Sequence, residues 1–157
     1  MFHSSGKITA SIICFTLLYS TAHAVTVQVE DAWVREAPPG STTLAAYMRI
    51  HNPATRDLTI LEITSPSFKK IEIHQTTIVN NMMRMEKVER ATIPAHSELV
   101  LEPGGKHLML FSPESRLKAG DHVTIILSFK KDQHQEIQAE VKKADSMNQH
   151  QSNNHHH

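Results

Sequence analysis

Between Val25 and Val141 the apolar positions recur mostly at every second residue, the period of a half-buried strand rather than of a helix. Val25, Val27 and Val29 alternate with Thr26 and Gln28, and Ala46, Met48 and Ile50 alternate with Tyr47 and Arg49. Leu58, Ile60 and Glu62 alternate with Thr59, Leu61 and Ile63. The same pattern predicts strands over Lys70–Thr76, Met82–Val88, Glu98–Glu102, Lys106–Phe111, His122–Phe129 and Glu136–Val141. Turn residues separate them: Pro38-Pro39-Gly40, Asn52-Pro53, Ser65-Pro66, Asn80-Asn81, Pro103-Gly104-Gly105, Gly120-Asp121 and Lys131-Asp132. Short strands at intervals of roughly 8–12 residues, bounded by such turns, predict a single all-β domain, an antiparallel sandwich or Greek-key barrel.

The two ends depart from this pattern. Residues 1–24 read as a secretory signal peptide: Lys7 supplies the positive region, Ile8–Tyr19 the apolar run and Ala22-His23-Ala24 the small-x-small cleavage site. That apolar run is too short to span a bilayer as a helix. The leader places the protein across the inner membrane, with a bacterial periplasm as the expected compartment and no membrane insertion after cleavage. Residues 25–143 form the β domain. Residues 144–157 are a polar, His- and Met-containing tail with too little apolar surface to offset chain entropy, so disorder is expected there.

Composition narrows the function. The 157 residues carry 16 basic and 16 acidic side chains, with no basic excess of the kind that neutralises nucleic-acid phosphates. There are 12 His and 7 Met but one Cys, Cys14, and it lies in the leader. Ile12-Ile13 before it does not make a lipobox. The secreted chain therefore has no thiol, which removes disulfides, Cys-based zinc sites and blue-copper electron transfer. Glu72 and Glu86 could be imagined as an acid/base pair, but no nucleophile accompanies them, so an enzyme is not expected. A copper oxygenase would need an N-terminal His, which only cleavage after Ala22 would expose as His23.

What remains is imidazole and thioether. Alternation places His107, Met109 and Phe111 on one face of their strand and Leu108 and Leu110 on the other, with the leucine face toward the core. Likewise Glu72 and His74 oppose Ile71 and Ile73, and Met83 and Met85 share a face that Met82 and Arg84 do not. Two imidazoles and two thioethers suit Cu(I): the sulfur is soft, needs no deprotonation and survives in an oxidising compartment. The other candidates read as structural. Met48 and Trp33 belong to the core, and His51, His96, His122 and His134 are solvated at strand ends or turns. In the tail, Met147, His150, His155, His156 and His157 make a second candidate cluster suited to Cu(II), or a source of a further ligand to the main site.

His74, Met85, His107 and Met109 spell H-x₁₀-M-x₂₁-H-x-M, a spacing expected by chance roughly 0.002 times at this composition. It resembles the copper-binding signature of the periplasmic copper chaperone family called PCuAC. The surrounding segments are similar too: Asp31-Ala32-Trp33-Val34-Arg35, Pro38-Pro39-Gly40, Ala45-Ala46-Tyr47-Met48, Met83-Arg84-Met85 and the run from Leu101 to Leu110. Some members place a Met directly after the first His, where this chain has Gln75. The resemblance implies a cupredoxin-like β-barrel that binds one Cu(I) through His74, Met85, His107 and Met109. It also implies delivery of that copper to the dinuclear CuA centre of cytochrome c oxidase, with the copper-accepting oxidase subunit as partner and another copper chaperone as a second candidate. Copper sequestration or resistance would use the same site without an oxidase recipient.

Overall fold

Alternation becomes strand wherever one face can be buried, and in the computed structural model all but one of the eleven strands bury at least one side chain. The structure describes residues 27–143 apart from residue 132; the leader, the tail and its candidate ligands lie outside the described residues. The strands are β1 (Gln28–Arg35), β2 (Thr43–Asn52), β3 (Leu58–Ile60), β4 (Glu62–Thr64), β5 (Phe68–Val79) and β6 (Met82–Lys87). They continue with β7 (Ala91–Ile93), β8 (Ser97–Leu101), β9 (Lys106–Pro113), β10 (His122–Phe129) and β11 (Gln133–Lys142). No helix occurs among the described residues, so the all-β expectation holds.

The main sheet runs β4-β10-β11-β1-β2-β9-β5-β6, with β8 also on β2, while β3 and β7 form a small second sheet. Every pairing is antiparallel except β1 with β11, whose parallel contact joins the two ends of the domain. The inner face carries Val34, Ala46, Ile50, Leu108, Leu110, Val123, Ile125 and Leu127, all fully buried in one cluster. Met48 lies in that cluster as expected, at 1% exposure. At about 1.5–3 kcal/mol for each large aliphatic side chain removed from water, this cluster is the dominant favourable term of the fold.

Several element boundaries differ from the periodic reading, each for a local reason. The predicted strand through Leu58–Ile63 splits at Leu61, whose amide donates to the Ser128 carbonyl at 2.8 Å. Before that point the chain pairs with β7, and after it with β10. Ile60 and Ile63 can therefore both point inward, while Leu61 is left 57% exposed. β7, three residues long, is too short to announce itself by periodicity. In β1 the register slips by one residue between Glu30 and Trp33, with Asp31 at φ 53°. This bulge reverses the alternation, so Val29 and Val34 both face inward and Trp33 faces outward.

The β5–β6 connection follows the expected turn chemistry. Asn80 and Asn81 both take positive φ, 52° and 59°, as a two-residue hairpin turn requires. That turn fixes the register in which Thr76 faces Met85 and His74 faces Lys87.

Candidate metal centre

The outer face of the sheet, opposite the aliphatic core, gathers the candidate ligands. Leu108 and Leu110 are fully buried inward, so His107, Met109 and Phe111 necessarily face outward from β9. Ile71 and Ile73 likewise send Glu72 and His74 outward from β5. The register pairs His74 directly with His107 and Glu72 with Met109. Met85 faces Thr76, one diagonal from His74 on the side away from Met109. The face assignments read from alternation are therefore correct, and Met83 and Met85 share the His74 face. The register sets the two imidazoles opposite each other, with Met109 two residues along β9 on the same face. Met85 stands on the exposed hairpin beside them.

Burial grades across this group. His107 is 5% exposed although it is on the outer face, because aromatic rings surround it. Trp33 stacks on Tyr47 at 4.6 Å between centroids, Tyr47 lies 6.4 Å from His107, and His107 lies 6.3 Å from His74. These four belong to one cross-strand row that ends at Lys87. Trp33 is thus buried as expected, but in this aromatic row rather than in the inner aliphatic core. Sequence reasoning missed the role of Tyr47, which was read only as the polar alternate of a strand. Its burial pushes the phenol upward, and the Arg35 guanidinium, 5.6 Å from the ring centroid, partly opposes that. Phe111, 6.2 Å from the His74 ring, completes the apolar wall, with the Lys70 ammonium 4.5 Å from its own centroid.

Hydrogen bonds occupy one nitrogen of each ring. His107 Nδ1 lies 3.1 Å from the Gly105 carbonyl, which can only accept, so Nδ1 donates to it. His74 Nε2 lies 3.1 Å from a Glu72 carboxylate oxygen and donates to it. The His74 contact, with Lys70 and Lys87 nearby, holds the Glu72 carboxyl down at about 2 from the ordinary 4.5. It is therefore ionised, and the stability it contributes is complete above pH 4.5 and lost as pH falls toward 2. His74 Nδ1 is left buried with no hydrogen-bond partner among the described residues. A buried polar atom without a partner is costly unless something fills the position. The neighbouring carboxylate and carbonyl orient the rings in the way that outer partners of metal-binding imidazoles do.

Among the described residues no group of three or more His, Cys, Asp or Glu stands close enough to hold a metal. A multidentate site here would have to use thioether sulfur. The remaining described histidines do not join it: His51 is half-buried at the far end of β2, His96 and His122 are exposed, and exposed His134 bonds Ser128 Oγ at 3.0 Å. Glu86 points to the face opposite His74.

Residues 27–141 match the family model described as "Putative lipoprotein LpqE-like". The chain belongs to the LpqE-like family. A Leifsonia xyli relative named "Putative lipoprotein Lxx21020" is 34% identical over 104 residues, covering 66% of this chain. The chain spans 61% of that relative's own length. The Cu(I) form of the Deinococcus radiodurans protein DR1885 is a structural neighbour, 31% identical with a TM-score of 0.63, covering 80% of this chain and 85% of that one. The copper-bound PCuAC domain of PmoF2 has the same TM-score at 23% identity, covering 75% and 93% respectively, a likeness of fold. The expected cupredoxin-like β architecture and the PCuAC resemblance are thereby borne out for this LpqE-like chain.

Proposed function

We propose that this LpqE-like protein is a non-enzymatic copper chaperone that holds one Cu(I) through His74, Met85, His107 and Met109. The observation that carries the reading is the pairing of His74 with His107, each with one ring nitrogen hydrogen-bonded to an outer partner, on a face that also bears Met109. Ring centroids 6.3 Å apart suit two imidazoles sharing one ion, given metal–nitrogen bonds of about 2 Å. Met85 supplies the outer thioether when its side chain closes over His74. The neutral donor set and soft sulfur favour Cu(I) over harder cations. Copper in the DR1885 and PmoF2 neighbours supports the choice of metal.

Delivery to the CuA centre of cytochrome c oxidase, through its copper-accepting subunit, is the recipient that the PCuAC resemblance suggests, and the periplasm is where such an exchange would occur. Relatives named as lipoproteins support an envelope location. A half-exposed thioether ligand favours hand-over rather than storage, because an incoming donor can replace it without opening the core. The tail is assigned a separate capture of Cu(II) through Met147, His150, His155, His156 and His157.

Anaerobic Cu(I) titration with X-ray absorption tests the main site. Two sulfur and two nitrogen ligands at one ion per chain are expected, and a sulfur-free or oxygen-rich shell would overturn the assignment. Loss of oxidase activity at low copper in a deletion strain would support delivery, whereas copper sensitivity alone would point to sequestration. Removing the residues after Lys143 should lower Cu(II) stoichiometry, and no change would remove the tail from the scheme.

A further inference from the structure

β6 closes one end of the main sheet, and among the described residues it pairs with β5 alone. Its outer backbone edge is therefore open. All six of its residues are exposed. Of the six most exposed large apolar side chains among the described residues, five sit on this hairpin: Ile78, Val79, Met82, Met83 and Met85. An exposed apolar edge strand without a bulge or proline is a template for pairing with another strand. Nothing in β6 blunts that edge except its charges, and their order suggests what it accepts.

We propose that β6 pairs with β6 of a second copy of this chain, antiparallel and centred on Met85, to form a two-fold dimer. A two-fold axis perpendicular to the joined sheet allows only registers in which a residue faces its own equivalent. Centring on Arg84 sets two guanidinium groups opposite each other, and centring on Glu86 does the same with two carboxylates. Centring on Met85 instead places Arg84 opposite Glu86 of the second copy, twice by symmetry, with Met85 against Met85 on the axis. Opposite charges directly across an antiparallel pair are favourable and like charges are not, so charge order selects this register alone among the three. Arg84 and Glu86 share one face, since they lie opposite Thr77 and Gln75 of β5, and Met85 faces the other way beside His74. The dimer thus brings the two candidate metal centres to one side of a continuous sheet, with the two Met85 side chains between them. This pairing uses backbone edge and charge, and it does not depend on the chain binding copper.

Sedimentation of the metal-free secreted chain, at concentrations from micromolar to several hundred micromolar and low salt, tests the dimer. A concentration-dependent rise toward twice the monomer mass is expected. Arg84→Glu and Glu86→Arg should each raise the dissociation constant roughly tenfold or more, while the double reversal should restore it and so exclude misfolding as the cause. Register is read by cross-linking, because the secreted chain has no native thiol. Met85→Cys should form an intermolecular disulfide on mild oxidation, since directly opposed residues have Cα atoms about 4.5–5.5 Å apart. Met83→Cys should not, because that residue faces Lys87 of the second copy. A chain that stays monomeric at several hundred micromolar, a dimer indifferent to both charge reversals, or preferential cross-linking at residue 83 would each overturn the proposal.

Discussion

On one side of β5 lies β9, whose Leu108 and Leu110 are fully buried and whose outward His107 is 5% exposed. On the other side lies β6, exposed along its whole length, where Met85 keeps 49% of its surface in water. The same strand, β5, is thus flanked by a rigid neighbour and a loosely held one, and the proposed ligands divide between them. His74, His107 and Met109 are set by the core packing beneath them. Met85 is set by a two-residue turn and one ladder of backbone bonds. Regions with few buried apolar contacts open most readily, so under the proposed ligand set the difference would separate a half that fixes the metal's position from a half that controls its exchange. A carrier needs both, since a site rigid on every side would release slowly.

The fixed half can be broken from beneath. Leu108→Ala removes a fully buried side chain directly behind the His107–Met109 pair, and should lower unfolding stability by about 2–5 kcal/mol in denaturant titration. The same change should weaken Cu(I) binding even though residue 108 touches no metal, because the outer face is positioned by the inner one. His107→Ala acts on the site itself and should reduce Cu(I) affinity by about 100-fold or more, since changes merely to partners of ligands already cost 10–100-fold. Anaerobic competition with a Cu(I) chelator measures this. A loss of tenfold or less would mean that the rigid half is not where copper is anchored.

How far this division was legible in the sequence depends on which physical signal carried it. Strand faces were readable, because Leu108 and Leu110 against His107 and Met109, or Ile71 and Ile73 against Glu72 and His74, alternate over a core that tolerates no slip. The Asn80-Asn81 turn was readable because it demands residues that accept positive φ. Pairing partners were not: nothing local says that His74 faces His107 rather than another strand. The Trp33–Tyr47 row was hidden for a related reason, since the bulge at Asp31 that turns Trp33 outward interrupts the periodicity used to place it. Burial of His107 under those rings followed from the same unseen pairings. The jump of Leu61 between two sheets depends on a hydrogen bond to Ser128, far along the chain, that no alternation encodes.

The exposed half should respond more gently. Met85→Ala removes a proposed ligand whose ordering costs rotamer entropy, so a loss of about tenfold in Cu(I) affinity is expected, smaller than for His107. Exchange should change more than affinity: copper transfer to an apo acceptor, followed by stopped-flow, should become faster. If Met85→Ala weakens binding as much as His107→Ala, the hairpin is held more firmly in the bound state than its exposure suggests.

Met83→Ala should have the smallest effect and makes the sharpest control. Met83 shares the face and the strand of Met85, and at 76% exposure it is the most exposed large apolar side chain among the described residues. A substitution so far from any packed neighbour should shift stability by no more than about 0.5 kcal/mol. Because Met83 faces Ile78 near the turn, two positions farther from the imidazoles than Met85, its loss should leave Cu(I) affinity unchanged in the same chelator competition. Equal losses from Met83→Ala and Met85→Ala would show that the hairpin supplies sulfur without regard to position. Sulfur ligation would then be a property of a mobile methionine-rich edge rather than of one register-defined residue, and the contrast between the two neighbours of β5 would be stronger still.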